Sequence, residues 1–184
     1  MSARIAMSGS AGTGKTTLGR RLARELGVPF IEEGMRARLE GGLDLHAMTP
    51  LELRDLIVAL WDEQCEREAA AAGGYVADRS SADFAAFWIH YGYAGDLEAT
   101  DAWIARMNAA LARYDAVALC PWGALPLVHD GVRSTNRWLQ FKYQALVEGV
   151  LARFAPPERV VRVAVTDDFE ARVAQVLKHL ETLR

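Results

Sequence analysis

Eight consecutive residues constrain this chain more than any other stretch: Gly9-Ser10-Ala11-Gly12-Thr13-Gly14-Lys15-Thr16 has the spacing Gly, four residues, Gly, Lys, Ser or Thr. The short apolar run Ala3-Arg4-Ile5-Ala6-Met7-Ser8 before it predicts a buried strand, and Leu18, Leu22 and Leu26 after it fall at helical spacing. Strand, glycine-rich loop and helix form the context in which this spacing binds phosphate. Glycines let the backbone take positive φ and approach a ligand closely, so successive N–H groups wrap an anion. The helix that follows aims its positive dipole end at the same point. Lys15 then reaches the β- and γ-phosphates, the Thr16 hydroxyl ligates Mg²⁺, and Gly9, Ser10, Ala11, Gly12, Thr13, Gly14 and Thr17 complete a nucleotide cradle. The competing reading is a glycine-rich turn that fits by chance. With Gly at roughly 7% of average usage, that is on the order of one chain in a hundred at this length.

What else the chain does is bounded by its composition. A length of 184 residues suits one domain over 1–184 with a sizeable core. The apolar fraction of 51% and charged fraction of 24% are ordinary for a soluble globular protein, and a net charge of −3 gives no electrostatic ground for nucleic-acid binding. Cys65 and Cys120 lie far apart without metal-ligand spacing, so reduced core thiols are expected rather than zinc or a disulfide framework. The chain enters its first strand with no charged-then-apolar leader, and no apolar run approaches the ~18 residues of a membrane span. A cytoplasmic location with no membrane contact is the resulting expectation.

Taken in order, residues 29–31 form a second strand that stops at Glu32-Glu33. Either these acids face the ligand crevice beyond the strand ends, or they are solvated residues opening the helix with Met35, Arg36 and Leu39. Thr49-Pro50-Leu51-Glu52 combines an N-cap, a first-turn proline and a capping-box glutamate. From there Leu53, Leu56, Ile57, Leu60, Trp61 and Gln64 share one face down to Glu68. Gln64 on that stripe is either a substrate-reading group or, more commonly, a helix-edge residue.

A third strand, 75–78, ends in Asp78 and is followed by Arg79-Ser80-Ser81-Ala82-Asp83. An aspartate at such a tip holds Mg²⁺ or its water, or accepts the proton of an attacking hydroxyl. Arg79 beside it either holds a phosphate or orients the carboxylate. Ser80 to Asp83 has capping-box spacing, so Asp83 reads first as a helix starter. Trp88, in the aromatic run Phe84, Phe87, Trp88, His90, Tyr91, is a candidate wall for an acceptor pocket, with core packing the commoner job. A helix over 96–114 reads as scaffold, and 115–120 as a central strand. Arg133 and Arg137, four apart beyond a Pro- and Gly-containing connection, share a helix face in a short lid around 122–140. They either neutralise transition-state charge or form a solvated basic face. A fifth strand over 159–165, a turn at Thr166-Asp167-Asp168 placed for adenine, and a helix over 169–183 close the chain.

Alternating strands and helices predict a right-handed, mostly parallel α/β sheet. Within it the glycine-rich loop, Glu33, Asp78-Arg79-Ser80 and Asp130-Gly131-Val132-Arg133 together resemble the P-loop kinases of the nucleoside and nucleotide kinase superfamily. The resemblance is nearest to nicotinamide riboside kinase-like proteins and small AAA-type ATP-binding domains, and covers essentially the whole chain. It implies a three-layer P-loop NTPase fold with a five-stranded parallel sheet in the order 2-3-1-4-5. It also implies ATP and Mg²⁺ as cofactors and transfer of a γ-phosphoryl group to a hydroxyl of a small nucleoside-like acceptor. By the same resemblance Glu33 is the general base, the Asp78-Arg79-Ser80 tip is catalytic, Arg133 and Arg137 are lid arginines, and Gln64 borders the acceptor pocket; Arg36 and Trp88 are further substrate-binding candidates. The base-reading residues do not match, and the roles of the acids at the two tips are interchangeable. Two other readings stay open: a regulatory ATPase switch acting on a protein partner, and a kinase of a modified base in DNA. A homodimer is compatible with the sequence.

Overall fold

The structure, a computed structural model, describes residues 3–45, 47–126 and 136–183. Among these residues five strands are separated by one or two α-helices each, in the order β1 (Arg4–Ser8), α1 (Lys15–Leu26), β2 (Phe30–Ile31), α2 (Gly34–Glu40), α3 (Pro50–Ala70), β3 (Tyr75–Ala77), α4 (Ser81–His90), α5 (Leu97–Leu111), β4 (Ala116–Leu119), α6 (Arg137–Phe154), β5 (Val160–Arg162) and α7 (Phe169–Thr182). All pairings are parallel, in the order β2-β3-β1-β4-β5, with the P-loop strand in the middle. This is the P-loop NTPase arrangement that the sequence resemblance implied.

The three central strands are short and apolar because both of their faces are covered. Alternation along β1 sends Ile5 and Met7 to one side, where Leu18 and Leu22 of α1 and Val173, Val176 and Leu180 of α7 pack. Ala6 faces the other side, beneath Ile57, Leu60 and Trp61 of α3, Phe84 and Trp88 of α4, Met107 of α5 and Val147 of α6. That second layer is built on aromatic contacts: Trp61 lies 5.7 Å from Phe84 and 4.4 Å edge-on from Trp103, which stacks on Trp88 at 4.7 Å.

Local signals set several boundaries. The capping box expected at Thr49 and Glu52 opens α3, and Gly27, at φ 66°, ends α1 with a left-handed cap. The last strand is shorter than the apolar run 159–165 predicts, because its partner β4 ends at Leu119; Val163 makes one further bond, to the Leu119 carbonyl, and pairing stops. Of the proposed lid, residues 137–140 are the first turn of α6, and 127–135 lie outside the described residues. Among the described residues no helix is long and apolar enough to cross a membrane.

Parallel pairing has one further consequence: the carboxyl ends of β1, β2, β3 and β4 open on one edge, bringing Gly9, Glu33, Asp78 and Cys120 into the same region. The opposite edge holds a pocket of about 500 Å³ lined by Arg4, Glu68, Tyr75 and Arg113. There the Glu68 carboxylate already accepts from Gln64, Tyr75 and Tyr114.

Candidate active site

The P-loop is held from three sides. Gly9 sits at φ 125°, and a Cβ there would meet the Cys120 carbonyl oxygen at 2.6 Å, so the loop hugs the end of β4 only with glycine at this point. Ser10 N–H donates to Gln144 Oε1 at 2.8 Å, and Gly9 N–H donates to Asp83 Oδ1 at 3.2 Å. Gly14, at φ 83°, precedes α1 with no side-chain cap, which leaves the helix's first N–H groups for a ligand. Lys15 is buried and donates from Nζ to the Ser10 carbonyl at 2.7 Å. Burial, and then the nearby Arg79, lower its pKa against the pull of Asp78, Asp83 and Glu33. With Arg20 and Arg36, the residues Gly12, Gly14, Lys15, Thr16 and Thr17 line a cleft of about 270 Å³. Three cations and a helix N-terminus around one cavity favour a multiply charged anion.

The neighbouring strand tips carry two carboxylates in different surroundings. Thr16 Oγ1 donates to Asp78 Oδ2 at 2.6 Å, while Asp78 Oδ1 is buried with no partner among the described residues. Burial raises the Asp78 pKa, opposed by Lys15 and the Thr16 hydrogen bond. A hydroxyl oxygen beside an orphaned carboxylate oxygen is a fitting donor set for a hard cation such as Mg²⁺. Glu32 turns outward to Arg20 at 2.5 Å, whereas Glu33 turns inward and accepts from Arg79 Nε at 2.5 Å. Arg79 is buried, also donates from Nη1 to Asp83 Oδ1 at 3.2 Å, and lies 4.8 Å from the centre of the Phe87 ring. Burial works against its charge, but Glu33, Tyr143 and Asp83 outweigh it and hold the guanidinium above its usual range.

Asp83 forms the capping box with Ser80, and the structure adds contacts that the local pattern does not contain. Its carboxylate also accepts from Ser8 Oγ at 2.5 Å and from Gly9 N–H, so the start of α4 and the start of the P-loop share one buried acceptor. Gln64 is buried, not at a helix edge; its amide nitrogen donates to Glu68 Oε1 and to the Arg79 carbonyl, both at 2.8 Å. It therefore positions the Arg79 backbone. Trp88 is a core residue whose indole N–H donates to Thr100 Oγ1 at 3.0 Å. Arg137 joins Ala11, Gly12, Thr13, Trp122, Leu125 and Gln140 around a pocket of about 170 Å³ on the outer side of the loop. Arg133 and the segment Asp130-Gly131-Val132 lie outside the described residues. At 166–168 the polar groups cap their own turn: Asp168 accepts from Ala171 N–H, and Thr166 Oγ1 from Asp168 N–H.

Two loop-supporting residues have no motif to announce them. Gln144, on α6, spans Ser10 N–H and the Cys120 carbonyl, and Arg172, on α7, donates from Nη2 to the Thr13 carbonyl at 2.8 Å. They lie 134 and 159 residues from their loop partners, beyond the reach of any local pattern.

An AAA-domain family profile matches residues 4–172. The chain belongs to the AAA-domain family. Among solved structures it is similar to the NadR protein in complex with NR (23% identity, TM-score 0.72), covering 99% of this chain and 51% of that one. It is also similar to deoxyadenosine kinase from M. mycoides (14%, TM-score 0.69, 97% and 99% covered). A third likeness is to thymidylate kinase from Ehrlichia chaffeensis (16%, TM-score 0.64, 98% of each chain). The AAA-domain chain thus has the fold of P-loop nucleoside and nucleotide kinases, and spans about half the length of the NadR chain. No curated protein matches it.

Proposed function

We propose that this protein is an ATP- and Mg²⁺-dependent phosphotransferase that moves the γ-phosphoryl group to a hydroxyl of a small nucleoside-like acceptor. The observation that carries the proposal is the separation of the two acids: Asp78 is bonded to the P-loop threonine, while Glu33 is bonded to Arg79 at the adjacent tip. The first arrangement suits the donor half of a phosphoryl-transfer site and the second the acceptor half. The kinase neighbours and the cation-lined cleft support the same division.

In this mechanism Lys15, the loop backbone from Gly9 to Thr17 and the start of α1 grip the donor phosphates. Mg²⁺, held through Thr16 and Asp78, would supply charge neutralisation at those phosphates. Glu33 takes the acceptor's hydroxyl proton once its bond to Arg79 is exchanged for one to the substrate, and Arg79 then faces the transferring group. Gln64 and Asp83 keep Arg79 in place, and Arg36 borders the acceptor's approach. Arg137, with Arg133 in a lid around 122–140, adds positive charge from the outer side and excludes water, which would otherwise compete with the acceptor. The chain acts as one domain over 1–184 in the cytoplasm, on a small molecule rather than nucleic acid.

ATP turnover measured against a panel of nucleosides, nucleotides and small sugars tests this, with Lys15→Ala as the control. One acceptor class should raise turnover well above the basal rate, and Lys15→Ala should remove the increase. If no acceptor stimulates wild type, a regulatory ATPase replaces the kinase as the better reading.

A further inference from the structure

We propose that Arg172 is a positioning residue for the donor phosphates, orienting and polarising the Thr13–Gly14 peptide so that the Gly14 N–H is aimed into the phosphate cradle. This rests on the nucleotide-binding reading above and deepens it. A trans peptide unit is planar, so the Thr13 carbonyl and the Gly14 N–H point in opposite directions. Arg172 Nη2 holds the carbonyl at 2.8 Å. The N–H must then point away from α7, and no protein acceptor takes it among the described residues. Gly14 itself lines the cleft with Lys15 and Thr16. The outer face of Gly14 is closed: a Cβ there would meet Leu125 at 3.0 Å and Arg172 Nη1 at 3.2 Å.

The charge matters as well as the geometry. Arg172 is 2% exposed, and among the described residues its buried Nε has no acceptor. No carboxylate among the described residues pairs with this buried guanidinium, and a buried charge without a counter-ion is costly, so packing alone is a poor account of its place. A charged donor on a carbonyl makes the N–H at the other end of the same peptide a stronger donor. Arg172 also meets the end of β4: burial pushes the Cys120 thiol up to about 11, opposed by the charges of Lys15 and Arg172 and by a hydrogen bond from Arg172.

The test is calorimetric binding of inorganic tripolyphosphate to wild type, Arg172→Met and Arg172→Lys. Loss of one charge-assisted hydrogen bond should weaken binding about ten- to a hundredfold in Arg172→Met, with partial recovery in Arg172→Lys. The ligand-free melting temperature of Arg172→Met should equal or exceed that of wild type, and the Gly14 amide proton resonance should move upfield. If Arg172→Met does not fold, Arg172→Gln is read in its place and should lose several-fold in affinity. Unchanged affinity in the folded variant overturns the proposal, as does a fall in melting temperature with the Gly14 resonance unmoved, which would make Arg172 a packing prop. Wild type that binds neither tripolyphosphate nor ATP overturns the nucleotide-binding reading as well.

Discussion

At Asp83 a single carboxylate, 0% exposed, accepts from Ser8, Gly9, Arg79 and Ser80. Asp83→Ala would leave the buried Arg79 guanidinium with Glu33 as its one carboxylate partner among the described residues and strand several N–H and O–H groups, so it should destabilise the fold by about 3–5 kcal/mol, read from urea denaturation. A loss below about 1 kcal/mol would mean that water replaces the carboxylate. The two tip acids make a paired prediction. Glu33→Gln should cut turnover about a hundredfold with the Mg²⁺ requirement unchanged, whereas Asp78→Asn should raise the Mg²⁺ concentration needed for half-maximal rate. A raised requirement in Glu33→Gln would exchange the assignments. That the acids sit at strand tips was legible from the chain; which of them faces Thr16 was not, since that contact joins residues 62 apart.

On the scale of single elements, α3 carries one ionisable group into the core. Glu68 is buried where α3 meets β3 and the end of α5, and burial raises its pKa above the ordinary 4.5 despite donors from Gln64, Tyr114 and Tyr75. For a group whose pKa is higher folded than unfolded, the contribution to stability is complete below the unfolded pKa and is lost as pH rises through the folded one. Each tenfold difference in acidity between the two states is worth about 1.4 kcal/mol. Glu68→Gln lacks this titration. Its melting temperature relative to wild type should therefore climb as pH rises from about 4.5 towards neutrality; a difference that does not change with pH would show Glu68 titrating normally. The start of α3 was readable because a capping box is complete within four residues. The burial of Gln64 was not, because its partner, the Arg79 carbonyl, comes from another element.

Across the whole molecule, the ligand and the fold share one free energy. ATP at a hundred times its dissociation constant should stabilise the folded state by about 2.7 kcal/mol, or roughly 5–10 °C in a chain of this size. The shift should vanish in Lys15→Ala at the same ATP concentration; an equal shift there would place the nucleotide elsewhere. Much of the architecture followed from the chain alone. Apolar strands bounded by glycines and caps, alternating with amphipathic helices, leave a parallel α/β sheet as the economical solution, and the spacing of residues 9–16 marks its phosphate loop. These signals are local: each needs only the few residues that make a strand, a cap or a turn. The division of labour around that loop was decided in three dimensions. Strand order puts Asp78 beside Thr16, while Gln144 and Arg172 come from α6 and α7 to hold the two ends of the loop. Buried polar groups must find partners wherever the folded chain supplies them, and pairings across more than a hundred residues leave no local spacing to read.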